Sequence, residues 1–294
     1  MGDARGKWGV VGAVVLVLWG ATGCGPAMTA GRGSPASVET RIVVHDDATA
    51  ESQRFAAEER WVGGGIAAVA RNDAKDDLVQ PAWTAGGSIA RTVGRLYAAG
   101  SNGNSGACTA TVVGSRTVIT AAHCVRTSVE GAPASAATWD NGLYFVPGYQ
   151  NGTAPYGGFT VRRVRMAENW QKDGLDVAML EMNPGRDGRN ISEVTGVQPI
   201  SFLAEPSGLA HFFGYPYTDR VLHCSGVTTW ASGKTLMRFP CLMGMGSSGG
   251  PYISGDAAAE GTVVAVNISS DRNASYGTAL GAFAQRLYQQ SESG

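Results

Sequence analysis

The residues with the chemistry to break a bond sit in one short stretch near the end of the chain, Met243-Gly244-Met245-Gly246-Ser247-Ser248-Gly249-Gly250-Pro251-Tyr252. A serine hydroxyl among glycines can be a nucleophile if a base takes its proton. It can equally be a plain turn, because glycine supplies positive φ and serine bonds its own backbone. As G-x-S-x-G, residues 246 to 250 read as a nucleophile elbow, in which the acid and the His must follow the serine. The four histidines, His45, His123, His211 and His223, all precede it. That order excludes the elbow and leaves the order His, Asp, Ser.

The base must offer one ring nitrogen to the serine and the other to a carboxylate, which requires a rigid backbone around it. His123 meets that need: it ends the apolar run Val118-Ile119-Thr120-Ala121-Ala122 and is followed by Cys124. His211 lies inside the apolar run Leu209 to Phe213 and His223 adjoins Cys224, so both read as structural. His45 falls in the segment that reads as a tether. The orienting acid must be screened from water, hence an Asp flanked by apolar residues. Of Asp140, Asp173, Asp176, Asp187 and Asp219, Asp176 alone opens an apolar strand, Leu175-Asp176-Val177-Ala178-Met179-Leu180. The other four sit beside Gly, Asn, Lys or Arg and read as turn or surface residues.

These side chains need elements to hold them. From about Val93 onward, short runs of strand length and β-rich content recur: Cys108 to Val113, Arg116 to Ala122, Leu143 to Val146, Phe159 to Val164, Val177 to Leu180, Ala210 to Phe213 and Thr262 to Ile268. Asn141-Gly142, Asn151-Gly152 and Pro184-Gly185 are expected turns. The pattern predicts an all-β sandwich or barrel. Leu280, Phe283, Ala284, Leu287 and Tyr288 fall instead at helical spacing and predict one closing amphipathic helix.

The formal net charge is −1, from 23 basic and 24 acidic residues among 294, so there is no basic field for nucleic acid. The first 24 residues read as a targeting segment, with basic Arg5 and Lys7 before an uncharged apolar run from Trp8 to Trp19. That run is too short to span a membrane, which takes about 20 residues. It ends in Ala21-Thr22-Gly23-Cys24, which resembles the lipobox of bacterial lipoproteins and makes Cys24 a candidate lipid anchor; cleavage after Ala27 or Ala30 is the alternative. Residues 25–92 are Gly/Pro/Ala/Ser/Thr-rich and then charged without period, and read as a largely disordered tether or propeptide. Without Cys24 the five cysteines become four, Cys108, Cys124, Cys224 and Cys241, an even set that reads as disulfides outside the cytoplasm. Three pairings are possible. The sequence-local one, Cys108 with Cys124 and Cys224 with Cys241, closes two loops of roughly 15 residues worth about 3 kcal/mol each. His123-Cys124 and His223-Cys224 place His beside Cys twice, but no C-x-x-C or H-x-x-x-H spacing supports a metal site.

Thr120-Ala121-Ala122-His123-Cys124, Asp176-Val177-Ala178 and Gly246-Ser247-Ser248-Gly249-Gly250-Pro251 together resemble the three signatures of trypsin-like serine peptidases. More narrowly, Asn141 to Gly158, Phe213-Gly214-Tyr215-Pro216 and the run from Cys241 to Pro251 resemble the bacterial secreted branch related to glutamyl endopeptidases. The resemblance spans about Val93 to Tyr288. It implies a chymotrypsin-like fold of two packed antiparallel six-stranded β-barrels with the site in the cleft between them. It further implies that Ser248 attacks the scissile carbonyl, His123 takes and returns its proton, and Asp176 holds the imidazole tautomer. The backbone N–H groups of Gly246 and Ser248 would form the oxyanion hole. One position departs from the vertebrate pattern: Ser247 stands where an Asp pairs with the new N-terminal amine on activation, so that switch is not expected, despite the zymogen-like Arg60-Trp61-Val62-Gly63-Gly64. The residues that would line the specificity pocket, Leu242, Met243 and Val266-Asn267-Ile268, hold neither an Asp for Lys or Arg nor a His for Glu, so an uncharged preference is expected.

The sequence therefore predicts a signal peptide at 1–24, a tether or propeptide at 25–92 and a peptidase domain at 93–294. The predicted function is serine endopeptidase, without metal or cofactor, acting as a monomer on protein or peptide substrates. The expected location is extracytoplasmic, either anchored to a bacterial membrane through Cys24 or secreted. The alternative is a catalytically silent homologue serving as an envelope binding or scaffold lipoprotein.

Overall fold

The structure, a computed structural model, describes residues 40–47, 80–99, 105–128, 136–203, 205, 208–255 and 260–294. The expected signal peptide, Cys24, Arg60 to Gly64 and most of the expected tether lie outside the described residues.

Short β-rich runs build two antiparallel sheets. The first uses β1 (Ile42–Asp46), β2 (Val93–Ala99), β3 (Ser105–Val112), β4 (Thr117–Thr120), β7 (Asn141–Pro147), β8 (Phe159–Ala167) and β9 (Ala178–Met182), while β5 (Arg126–Thr127) and β6 (Thr138–Trp139) form a small separate ribbon. Strand β8 pairs with β7 at Phe159 and Thr160 and with β9 from Val161 to Met166. The order β8-β7-β2-β3-β4-β9 thereby returns to β8 and closes a six-stranded barrel. The second sheet is built from β10 (Leu209–Gly214), β11 (Leu222–Val227), β12 (Thr229–Ser232), β13 (Leu236–Phe239), β14 (Pro251–Ser254), β15 (Thr262–Ser270) and β16 (Ser275–Ala279). Their order in the sheet is β11-β10-β14-β15-β16-β13-β12. Among the described residues its end strands do not pair with each other, so it is a half-barrel.

Each sheet buries one set of apolar side chains. Leu96, Ile119, Phe145, Val164 and Leu180 are fully or almost fully buried in the first core, and Phe212, Phe239 and Tyr252 pack ring against ring in the second. Burial of such a side chain contributes about 1.5–3 kcal/mol. Three short helices, α1 (Ile89–Thr92), α2 (Trp170–Asp173) and α3 (Ile191–Thr195), sit in connections, and α4 (Ala282–Glu292) closes the chain. As its spacing predicts, α4 buries Phe283, Ala284 and Leu287, and it packs back onto β4, β8 and β9 of the first barrel. The all-β, chymotrypsin-like expectation with a C-terminal helix holds.

The sequence-local disulfides form: Cys108 to Cys124, across 16 positions, and Cys224 to Cys241, across 17. Asn151-Gly152 is a turn with positive φ at both residues. Asn141-Gly142 is not one; both residues belong to β7, whose pairing with β2 extends to Asn141. Two stretches read as tether are packed on the barrels. Strand β1 pairs with β8 from Arg163 to Ala167 and stacks His45 on Trp139 with ring centroids 4.5 Å apart. Residues 80–83 run across β11, where the His223 N–H donates to the Pro81 carbonyl (3.0 Å) and the Trp83 N–H to that of Val221 (2.9 Å).

Candidate active site

His123 sits in a 3-10 turn, Ala122–Cys124, immediately after β4. The turn fits because Ala121 and Ala122, both fully buried, leave no bulk beneath it, and because Cys124 is tied to Cys108 of β3. Asp176 lies between α2 and β9 and is 8% exposed. Its Oδ2 lies 2.8 Å from His123 Nδ1, and its Oδ1 accepts the His123 backbone N–H at 3.0 Å. A carboxylate has no proton to give, so Nδ1 carries it and Nε2 is left as an acceptor. Burial pushes the His123 pKa down, but the hydrogen bond and the charge of Asp176 outweigh it and hold the pKa above its ordinary value of 6.5. The Trp170 ring, its centroid 6.4 Å from that of the imidazole, stands beside the pair.

Ser248 and His123 line one cavity of about 330 Å³. The loop before Ser248 is anchored from the opposite barrel by one buried residue, Thr109 of β3. The Thr109 N–H donates to the Ser248 carbonyl (2.8 Å), its hydroxyl donates to the Gly246 carbonyl (3.0 Å), and the same hydroxyl accepts the Tyr215 N–H (2.9 Å). With their carbonyls held, the N–H groups of Gly246 and Ser248 have no backbone acceptor among the described residues, and they are available to a developing oxyanion. Gly246 adopts φ +94°, and a Cβ there would come within 2.7 Å of the Tyr215 carbonyl oxygen. The loop geometry therefore requires glycine.

Ser247, at the position of the expected departure from a charge-paired Asp, is buried and neutral. Its hydroxyl donates to the Gly244 carbonyl (2.7 Å) and accepts from Asn267 Nδ2 (3.4 Å), while Asn267 Oδ1 accepts the Tyr252 hydroxyl proton (3.0 Å). Asn267 also holds Gly249 and Gly250 through its backbone: the Gly249 N–H donates to its carbonyl (2.7 Å), and its own N–H donates to the Gly250 carbonyl (2.8 Å). The segment from 247 to 250 is thus fixed without any ion pair to Ser247.

His211 and His223 are placed together but away from this cavity. Their Nδ1 and Nε2 atoms are 3.0 Å apart, with Phe213 and Trp83 packed against the His223 ring. Cys108, Cys124 and His123 lie close together, but the two sulfurs are bonded to each other and are not thiolates that would ligate a metal. Asp140 corrects the sequence reading as a turn or surface residue: it is 4% exposed and lines the cavity with His123 and Ser248. Trp139 before it and Leu143 after it were the available signal. Thr109 and the loop-holding contacts of Asn267 escaped because nothing in an apolar strand marks which polar residue crosses to a neighbour.

The profile of the family described as Trypsin matches residues 85–288. The chain belongs to the trypsin family of serine peptidases. A search of the curated proteins finds no match. Among solved structures, the protease Anisep from Arthrobacter nicotinovorans is similar at 26% identity and TM-score 0.61, over 74% of this chain and 100% of that one. The thermostable serine protease AL20 from an extremophilic microorganism is similar at 23% identity and TM-score 0.62, over 70% and 99% of the two chains. A Glu endopeptidase in complex with MPD is similar at 17% identity and TM-score 0.58, over 75% and 99%. These last two likenesses speak to the fold alone. The family profile begins at residue 85, ahead of Val93, in keeping with the packing of 80–92 on the barrels.

Proposed function

We propose that this chain is a serine endopeptidase working through Ser248, His123 and Asp176. The observation that carries the reading is the 2.8 Å contact from Asp176 Oδ2 to His123 Nδ1, which leaves Nε2 free at the cavity that Ser248 also lines. Ser248 Oγ attacks the scissile carbonyl while Nε2 takes its proton. The N–H groups of Gly246 and Ser248 hold the resulting oxyanion, and removal of one such donor costs about 2.7–4 kcal/mol of transition-state stabilisation. Collapse breaks the C–N bond, the imidazolium gives its proton to the departing amine, and water then repeats the cycle on the acyl-enzyme. The buried Ser247 and Asn267 contacts favour an oxyanion loop formed without capture of an N-terminal amine.

Ser248→Ala is expected to abolish labelling by a fluorophosphonate probe. Equal labelling of variant and wild type would refute the assignment and favour a silent binding or scaffold protein. On the acyl side an uncharged residue is proposed, since Leu242, Met243 and Ile268 carry no charge and the Asn267 side chain is turned to Ser247 and Tyr252. A cleavage profile dominated there by Arg, Lys or Glu would overturn this. We further propose that residues 1–24 direct export, that Cys24 is acylated and that the remaining N-terminal stretch is a tether or propeptide. Mass spectrometry of the mature N-terminus checks all three, and an unmodified, uncleaved Met1 would refute them.

A further inference from the structure

We propose that the leaving-group side of the cleft is a subsite for a basic side chain, Lys or Arg, and that the Asp140 carboxylate is its recognition element. The inference rests on the peptidase reading above and deepens it. The cavity at Ser248 and His123 is not bounded by Leu242, Met243 or the strand from Val266 to Ile268, which would flank the acyl part of a substrate. It extends the other way, over Leu96 and Ala98 of β2 and the Cys108 to Cys124 disulfide, where the departing peptide must lie. Those walls are apolar and suit the aliphatic stem of a long side chain. Asp140 is the only carboxylate among the residues lining the cavity.

Asp140 is poorly compensated for a buried carboxylate. Its two oxygens share one donor, the Thr127 hydroxyl, at 2.8 and 3.0 Å. No cation pairs with it among the described residues. Neighbouring Arg126 is committed elsewhere, with its guanidinium on the Ala137 and Glu168 carbonyls and over the Trp139 ring. Burial accordingly pushes its pKa up, with the Thr127 hydrogen bond opposing. A buried carboxylate lining a cavity with apolar walls gains most from a cation that arrives with its own hydrocarbon stem.

The test uses the purified mature protein and quenched peptides with a randomised acyl side and Lys, Arg, Ala or Glu at the first or second position after the scissile bond. At one of these positions Lys and Arg peptides should be cleaved with kcat/KM about tenfold above the matched Ala peptide, with Glu lowest. Asp140→Asn should bring the Lys to Ala ratio close to one, and Asp140→Lys should invert the preference toward Glu. Because each readout is a ratio within one protein sample, partial misfolding of a variant cancels. A wild-type ratio near one, or a tenfold ratio that survives Asp140→Asn, overturns the subsite while leaving the peptidase reading standing. If no peptide is cleaved and Ser248 is not labelled by the fluorophosphonate, the peptidase reading falls and this inference with it.

Discussion

Gly249, the residue after the proposed nucleophile, is where fold and chemistry meet most tightly. It adopts φ +78°, and a Cβ placed there would lie 2.1 Å from Thr120 Oγ1 and 2.3 Å from the Thr109 carbonyl oxygen. Ordinary van der Waals contact begins at 3.4 Å, so Gly249→Ala is short of room by more than 1 Å at both atoms. Neither atom yields easily. The Thr120 hydroxyl is bonded to that same Thr109 carbonyl at 2.9 Å, and the Thr109 N–H holds the Ser248 carbonyl at 2.8 Å. The relief available is a shift of the 248–249 peptide by about 1 Å away from β3, and such a displacement of reacting groups costs about 100-fold in rate. The left-handed backbone adds about 1–2 kcal/mol of strain. With the overlap, the loss of stability should reach about 2–4 kcal/mol, lowering Tm by roughly 5–15 °C in a domain of this size. Active-site titration with a burst substrate separates the fraction of competent sites from kcat/KM per site. We expect kcat/KM per folded molecule to fall about 100-fold. Adding Thr120→Ala should recover only part of it, because the Thr109 carbonyl remains. A Gly249→Ala variant with kcat/KM within about threefold of wild type would refute the reasoning, since 1 Å of misplacement would then be without consequence.

Asp176→Asn weakens the hydrogen bond and removes the charge that together hold the His123 pKa above 6.5 against burial. The proposed mechanism needs neutral imidazole, so the rising limb of kcat/KM against pH should move to lower pH while the plateau falls by about four orders of magnitude through loss of the tautomer. A limb that stays in place in the residual activity would show that another group sets it. His223 is held down to about 4, first by burial and then by neighbouring His211. An unfolded histidine takes up its proton near pH 6.5, so stability is greatest above that pH and is lost as the pH falls toward 4. His223→Gln should flatten thermal stability across that window, and an unchanged acid slope would locate the titrating group elsewhere.

Several features were legible because they are local. Strand β15 was placed from residues within one run, and α4 from the spacing of five apolar residues. The disulfides lay within roughly 15-residue loops, among the cheapest to close in the unfolded chain. The chain order of His123, Asp176 and Ser248 excluded one mechanism outright without any knowledge of distance. Asp176 announced itself because an acid entering an apolar strand must find a partner.

Other features were beyond local reading. In β3 the residues from Thr109 to Val112 are buried on both faces, so the alternation that would say which way each side chain points is erased. Thr109 could not be distinguished from Thr111, although only Thr109 reaches 137 positions along the chain to the Gly246 carbonyl. Asp140 looked like a turn residue until β7 began at Asn141 and drew it into the cleft. Asn267 read as a wall of the specificity pocket, and nothing local foretold that its amide would bond Ser247 and Tyr252. The sequence by itself determined which candidate chemistry to propose, since that depends on which groups exist and in what order. Tertiary structure decided how the loop from Gly246 to Gly250 is fixed and which side chains line the cleft, because both rest on contacts between strands whose register no single segment contains.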